Sequence, residues 1–272
     1  MPTAKVNGID LYYGDYGQGT PIVFAHGVGG NHASWFHQIA FFSRWYRVIA
    51  IDHRGFGNSH DPPEGPGAAA FVDDLAELLD TLGIRETVLV AQSMGGATCL
   101  GYALRYPERT LALVMADTGG GISAPGPLQE RLEEQRRLTD NLSQADRVVS
   151  KRFQQAEPAL TQLYLEIASF NDTNRRNMRG RALFTPAPAE LARLTMPKLF
   201  LVGQDDILVP PDIMKMVSDI VPDAKLTMIP DAGHSAYFEK PDAFNQVLLA
   251  FLSESGFGPD AEARTEPASA RS

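Results

Sequence analysis

Short, almost unbroken apolar runs recur along the chain and alternate with stretches of helical periodicity. PIVFAHG (21–27), YRVIAID (46–52), TVLVAQ (87–92), LALVMAD (111–117), KLFLVG (198–203) and KLTMIP (225–230) read as strands. A strand apolar on both faces is one buried on both faces, which is the mark of a parallel sheet covered by helices. Between the strands, FVDDLAELLDTLG sets Phe71, Leu75, Leu78 and Leu82 on one helical face and stops at Gly83. Helices are also predicted over 32–42, 94–106, 211–221 and 241–253. At the N-terminus, Asn7-Gly8 sits between two alternating runs within 4–16, which is a two-residue hairpin signal.

The rhythm breaks after residue 117. From 118 to 194 no strand is predicted, glycines and prolines open the segment, and Leu160, Leu163, Tyr164 and Ile167 mark an amphipathic helix. The expected organisation is an α/β core of residues 1–117 and 195–253, with a helical cap (118–194) inserted between the halves of a mostly parallel sheet. The tail, 254–272, is polar and Gly/Pro-rich, with Phe257 its one aromatic, and is expected to be disordered.

A formal charge of -9 argues against a nucleic-acid footprint, which needs a basic surface. The charge is uneven: residues 128–182 carry a net +2, so the remainder carries -11. A mildly basic cap suits an anionic substrate, although a solvated helix surface is the simpler explanation. Cys99 is the sole cysteine, so there is no disulfide framework. No signal peptide and no membrane-length apolar run is visible, and the expectation is a cytoplasmic protein without a membrane partner. The oligomeric state is not readable.

VLVAQSMGGA (88–97) places a serine at a sharp turn between a strand and a helix. A serine hydroxyl needs a nearby base and donors for the oxyanion it creates. A strand-to-helix turn lifts the hydroxyl clear of the sheet and puts a helix N-terminus beneath the developing charge. Such a turn requires small residues two before and two after the serine, and Ala91 and Gly95 hold those places around Ser93.

With an alanine in place of the first glycine of G-x-S-x-G, this stretch resembles the nucleophile elbow of the α/β-hydrolase family, and the resemblance covers roughly residues 4–253. It implies a nucleophile, then an acid, then a histidine in chain order. Of the six histidines, only His234 follows the last strand; His26, in HGVGG, matches a structural position of the oxyanion loop. In LVGQDDILVP, Gly203 and Pro210 put Asp206 in the family's register, with Asp205 beside it and Asp117 as the rival acid before the cap. The resemblance assigns the oxyanion hole to the backbone N–H groups of Val28 and Met94. DHRGFG (52–57) resembles a family turn in which Asp52 and Arg54 hold loops. The glycine-rich turn at 27–30 is not a dinucleotide site, because His32 stands where the fingerprint needs glycine or alanine. No metal-binding set is present and no cofactor is implied.

Serine rather than aspartate at the elbow implies acyl transfer. HGVGG, DHRGFGNS, SMGG and AGHSAYFEKP resemble small-molecule esterases, enol-lactonases and cofactor-free perhydrolases, so a small-molecule ester or lactone is the expected substrate. The elbow helix also resembles that of meta-cleavage C–C bond hydrolases, though the oxyanion loop is shorter and no tryptophan follows His234. A ligand receptor or single-turnover binder on the same scaffold stays open. Trp35, Phe36, Phe153, Phe170 and Tyr237 are the aromatic candidates for substrate contact.

Overall fold

A computed structural model describes residues 2–122, 126–180 and 186–259. Among these, eight strands form one sheet in the order β1-β2-β4-β3-β5-β6-β7-β8. The strands are β1 (Thr3–Val6), β2 (Ile9–Tyr16), β3 (Pro21–Ala25), β4 (Arg47–Ile51), β5 (Thr87–Gln92), β6 (Thr110–Ala116), β7 (Lys198–Gly203) and β8 (Ala224–Ile229). β2 runs antiparallel to both its neighbours, and every pair from β4 to β8 is parallel. The expected hairpin forms with Val6 opposite Ile9, and Asn7 and Gly8 both take positive φ, at 39° and 80°. That pair of angles is what a two-residue turn matched to strand twist demands.

Alternate strand residues feed two cores. Val23, Ile49, Leu89 and Met115 face one side, where α2 (Phe71–Thr81), α3 (Gly95–Arg105) and α8 (Pro211–Ile220) supply Leu75, Leu100 and Ile213. Phe24, Val48, Val90 and Val114 face the other, under α1 (Phe36–Phe42) and α10 (Pro241–Glu254). Both faces being dry explains why the strands read as unbroken apolar runs. The helix predicted over 32–42 is split into a 3-10 turn at His32–Trp35, capped by Asn31, and then α1.

Within 118–194 the described residues hold α4 (Pro127–Thr139), α5 (Gln144–Val148), α6 (Lys151–Ala156) and α7 (Pro158–Ser169), and no strand. On α7, Tyr164 and Ile167 are buried, as the periodicity predicts, whereas Leu163 is exposed. Of the tail expected to be disordered, residues 260–272 lie outside the described residues. Its first part is ordered by contacts: Phe257 packs on the core and its carbonyl accepts from Tyr46 Oη at 2.8 Å. No helix among the described residues is long and apolar enough to cross a membrane.

Candidate active site

The turn from β5 into α3 is tight enough to force Ser93 to φ 50°, a region that costs a non-glycine residue about 1–3 kcal/mol. The surroundings hold it there. Ser93 N donates to Ala116 O at 3.1 Å, and Gly96 N donates to Ser93 O at 2.9 Å. A Cβ on Gly95 would lie 2.3 Å from Ala25 O, so only glycine lets α3 seat this closely on β3. A Cβ on Gly27 would lie 2.8 Å from Ser93 Cβ. The glycine loop after β3 therefore passes directly over the serine.

The loop after β8 brings His234 to it. His234 Nε2 lies 2.9 Å from Ser93 Oγ. Its Nδ1 lies 2.9 Å from Asp206 Oδ2 and 3.1 Å from Oδ1. Asp206 follows β7 and is fixed from below, because Oδ1 also accepts Leu208 N at 2.7 Å and Val209 N at 3.1 Å. His234 and Asp206 are buried, and Ser93 is partly open to the cavity above it. The histidine loop is held by two residues that the sequence did not single out. Gln92 Nε2 donates to His234 O at 2.7 Å. Glu239, on α9 (Ala236–Glu239), accepts from Ser150 N and Oγ, at 3.1 and 2.6 Å, and so ties that loop to the cap.

The rival residues sit elsewhere. Asp205 is half-buried and lies 3.5 Å from Arg152. Asp117 is fully buried and accepts from Gly203 N at 2.8 Å, bracing the sheet beneath Asp206 rather than meeting the imidazole. Burial and the Asp206 charge push its pKa well above the usual carboxylate value. His26 is buried in the loop: its Nε2 accepts from His53 N at 3.0 Å, so Nδ1 carries the proton and donates to Gly27 O at 2.7 Å. Asp52 accepts from His32 N at 2.6 Å and Asn58 N at 2.9 Å, and Arg54 pairs with Asp74 at 2.6 Å. Both brace loops around the site.

Val28 lines the same cavity as Ser93 and His234, and Met94 is the N-cap of α3. Among the described residues neither of their N–H groups has an acceptor. Free N–H donors and a helix N-terminus are groups that favour negative charge.

The aromatic residues expected to touch substrate do not line this cavity. Trp35 and Tyr237 are fully buried in the second core, 4.2 Å apart between ring centroids. Phe153, on α6, is buried against Phe238, Phe36 stacks on His37, and Phe170 is 72% exposed. Their apolar surface is consumed by packing or faces water. The cavity, about 80 Å³, is lined instead by Tyr164, Gln144, Arg147, Val148, Arg175 and Leu208 beside the residues already named. It shares walls with two larger cavities of about 490 and 460 Å³. His234 and Arg147 stand between it and the first, and Val28, Gln144 and Arg175 between it and the second.

Known proteins share this fold. A hydrolase of 2-hydroxy-6-oxononadienedioate and 2-hydroxy-6-oxononatrienedioate from Pseudomonas sp. is 30% identical over 92% of this chain and 93% of its own. A thermophilic esterase from Thermogutta terrifontis superposes with a TM-score of 0.73 at 27% identity, covering 93% of this chain and 97% of its own. The enol-lactonase from Burkholderia xenovorans LB400 superposes with a TM-score of 0.75 at 25% identity, covering 93% of this chain and 100% of its own. A family model of the alpha/beta hydrolase fold matches residues 20–183. The chain belongs to the α/β-hydrolase fold family.

Proposed function

We propose that this protein hydrolyses a small-molecule carboxylic ester or lactone through an acyl-enzyme on Ser93. The observation that carries the reading is the 2.9 Å contact from Ser93 Oγ to His234 Nε2, with Asp206 on the other ring nitrogen. His234 takes the serine proton as Oγ attacks the carbonyl carbon, and Asp206 stabilises the imidazolium. The Val28 and Met94 N–H groups receive the oxyanion. Collapse expels the alcohol, which takes the proton from His234. Water, activated by the same imidazole, then releases the acid. No cofactor enters this sequence. The esterase and the enol-lactonase that superpose on the chain favour this bond type. The Pseudomonas relative favours a second reading, hydrolysis of a 2-hydroxy-6-oxo dienedioate.

The test is steady-state turnover of p-nitrophenyl acetate, an enol-lactone and 2-hydroxy-6-oxononadienedioate by the parent and by Ser93→Ala. The first two are expected to turn over and to lose at least about a thousandfold in the variant. Retained turnover in a folded Ser93→Ala protein removes Ser93 from the mechanism. Turnover of the dienedioate alone moves the reaction to the second reading. One equivalent of product with no steady phase makes the protein a single-turnover binder.

A further inference from the structure

Two arginines line the cavity that holds Ser93. Arg147 comes from α5 and Arg175 from the segment after α7, and both line the same cavity as Ser93 and His234. Neither is a loose surface side chain. Arg147 Nη1 donates to Thr139 O at 2.5 Å, the last carbonyl of α4. Arg175 donates to Asp140 O at 2.7 Å and to Asp140 Oδ1 at 3.0 Å, at the cap of the same helix. The end of α4 thus fixes both groups in the wall of the cavity.

Their charge is not balanced. Arg175 has Asp140, whose side chain is itself 65% exposed. Arg147 forms no ion pair among the described residues, and none of the described residues lining the cavity at Ser93 is a carboxylate. The other cations lining the 490 Å³ cavity are committed: Lys151 pairs with Asp146, and Arg152 with Asp205 and Asp231. Burial and the adjacent Arg175 charge both act against the cationic form of Arg147, with Asp140 opposing them. A partly buried cation beside a like charge is costly until an anion arrives, and a guanidinium offers a planar fork matched to a carboxylate.

We propose that Arg147 and Arg175 bind a carboxylate carried by the substrate that Ser93 attacks. This rests on the hydrolase reading. It assigns the specificity of the site to charge rather than to the aromatic residues. Arg147 shares a wall with His234, where a leaving alcohol is protonated, and Arg175 shares one with Val28 on the oxyanion side.

Two matched probe pairs place the anion on either part of an ester. Mono-p-nitrophenyl adipate carries it on the acyl group, and p-acetoxybenzoate on the leaving group; the methyl ester of each is the neutral partner. The expected result is a kcat/KM at least about tenfold higher for the charged member of one pair, the range of a hydrogen bond to a charged group. Arg147→Gln lowers that charged-to-neutral ratio by about tenfold to a hundredfold, chiefly through KM, and Arg147→Lys keeps part of it. A purely structural role for Arg147 lowers both rates and leaves the ratio unchanged. If neutral esters turn over through Ser93 but neither ratio exceeds one, the proposal is overturned and the hydrolase reading stands. If no ester turns over, the hydrolase reading fails. Calorimetric titration of adipate into the parent and Arg147→Gln then decides: binding that depends on Arg147 keeps the anion site, and its absence removes it.

Discussion

Replacing Asp206 by asparagine strikes the proposed mechanism at one hydrogen bond. In the parent, Oδ1 accepts two backbone N–H groups, Leu208 at 2.7 Å and Val209 at 3.1 Å. In Asp206→Asn the amide oxygen has to take that place, because the opposite rotamer would aim the amide NH2 at two donors. Each buried donor left unsatisfied costs about 1–3 kcal/mol, which decides the rotamer. The NH2 then stands where Oδ2 stood, 2.9 Å from His234 Nδ1. Two donors cannot face each other, and the amide oxygen, 3.1 Å from Nδ1, is already taken by the Leu208 and Val209 N–H groups, so Nδ1 gives up its proton and Nε2 takes one. Nε2 is the atom 2.9 Å from Ser93 Oγ, and once protonated it cannot accept the serine proton. The protein keeps its fold and holds the wrong tautomer.

The same trap in a serine–histidine–aspartate site lowers kcat by about 10⁴-fold. That corresponds to about 5 kcal/mol of barrier. Asp205→Asn is the control. Among the described residues its carboxylate reaches only Arg152, whose side chain is 62% exposed, and exposed pairs are worth about 0–1 kcal/mol, so kcat stays within about fivefold. The assay is kcat on p-nitrophenyl acetate for the parent and both variants, with urea unfolding to establish that each is folded. A kcat for Asp206→Asn within about tenfold of the parent, a loss of under about 1.4 kcal/mol, would refute the tautomer argument. A larger loss in Asp205→Asn would move the acid one residue back.

Three further outcomes follow from the same geometry. Gly95→Ala gains about 1 kcal/mol of helix propensity but forces a methyl to 2.3 Å from Ala25 O, so urea unfolding shows a net loss of about 1–3 kcal/mol and kcat falls as α3 lifts Ser93; unchanged stability would contradict the close seating. Asp117 has a folded pKa raised well above 3.8, so the unfolded chain loses that proton first as pH rises. The stability of the parent relative to Asp117→Asn therefore falls with rising pH above the unfolded carboxylate value, by at most about 1.4 kcal/mol per pH unit, and stops falling once the folded group ionises; urea midpoints between about pH 4 and 7 that rise instead would reverse the sign. Phe170→Ser, at a side chain 72% exposed and outside the cavity lining, leaves kcat and KM for p-nitrophenyl acetate as they were, and a raised KM would return Phe170 to the substrate.

The parts of the chain that sequence reading located are those whose signal is local. A strand dry on both faces has to be apolar throughout, so β3 to β7 announced themselves. The elbow at Ser93 was visible because its backbone tolerates only small neighbours at fixed offsets. Asp206 stood out from Asp205 by its register after β7, although its two backbone donors, Leu208 and Val209, carry no sequence signature. The aromatic candidates failed for the opposite reason. An aromatic in a core and one in a pocket have the same local pattern, and Trp35 and Tyr237 spend their surface on each other. The ordered start of the tail was hidden in the same way, since nothing near Phe257 predicts that Tyr46, far back in the sequence, will hold it.

The cavity wall was illegible because it is assembled from residues that would be unremarkable on any surface helix. Gln144, Arg147 and Arg175 become neighbours of Ser93 only when α4 to α7 fold back over the sheet, and the contact that fixes the arginines is a helix end, not a motif. On the proposed function, reaction and selectivity are therefore written in different parts of the chain. The reacting groups stand at strand ends and are held by backbone hydrogen bonds within the core. The groups proposed to meet the rest of a substrate come mainly from the cap. Glu239 joins the two, since its carboxylate accepts from Ser150 at the start of α6 while its own helix follows His234. A change in the cap that leaves Ser150 in place can then alter which substrate is accepted without disturbing His234, whereas one that breaks the Glu239 contact reaches the imidazole as well.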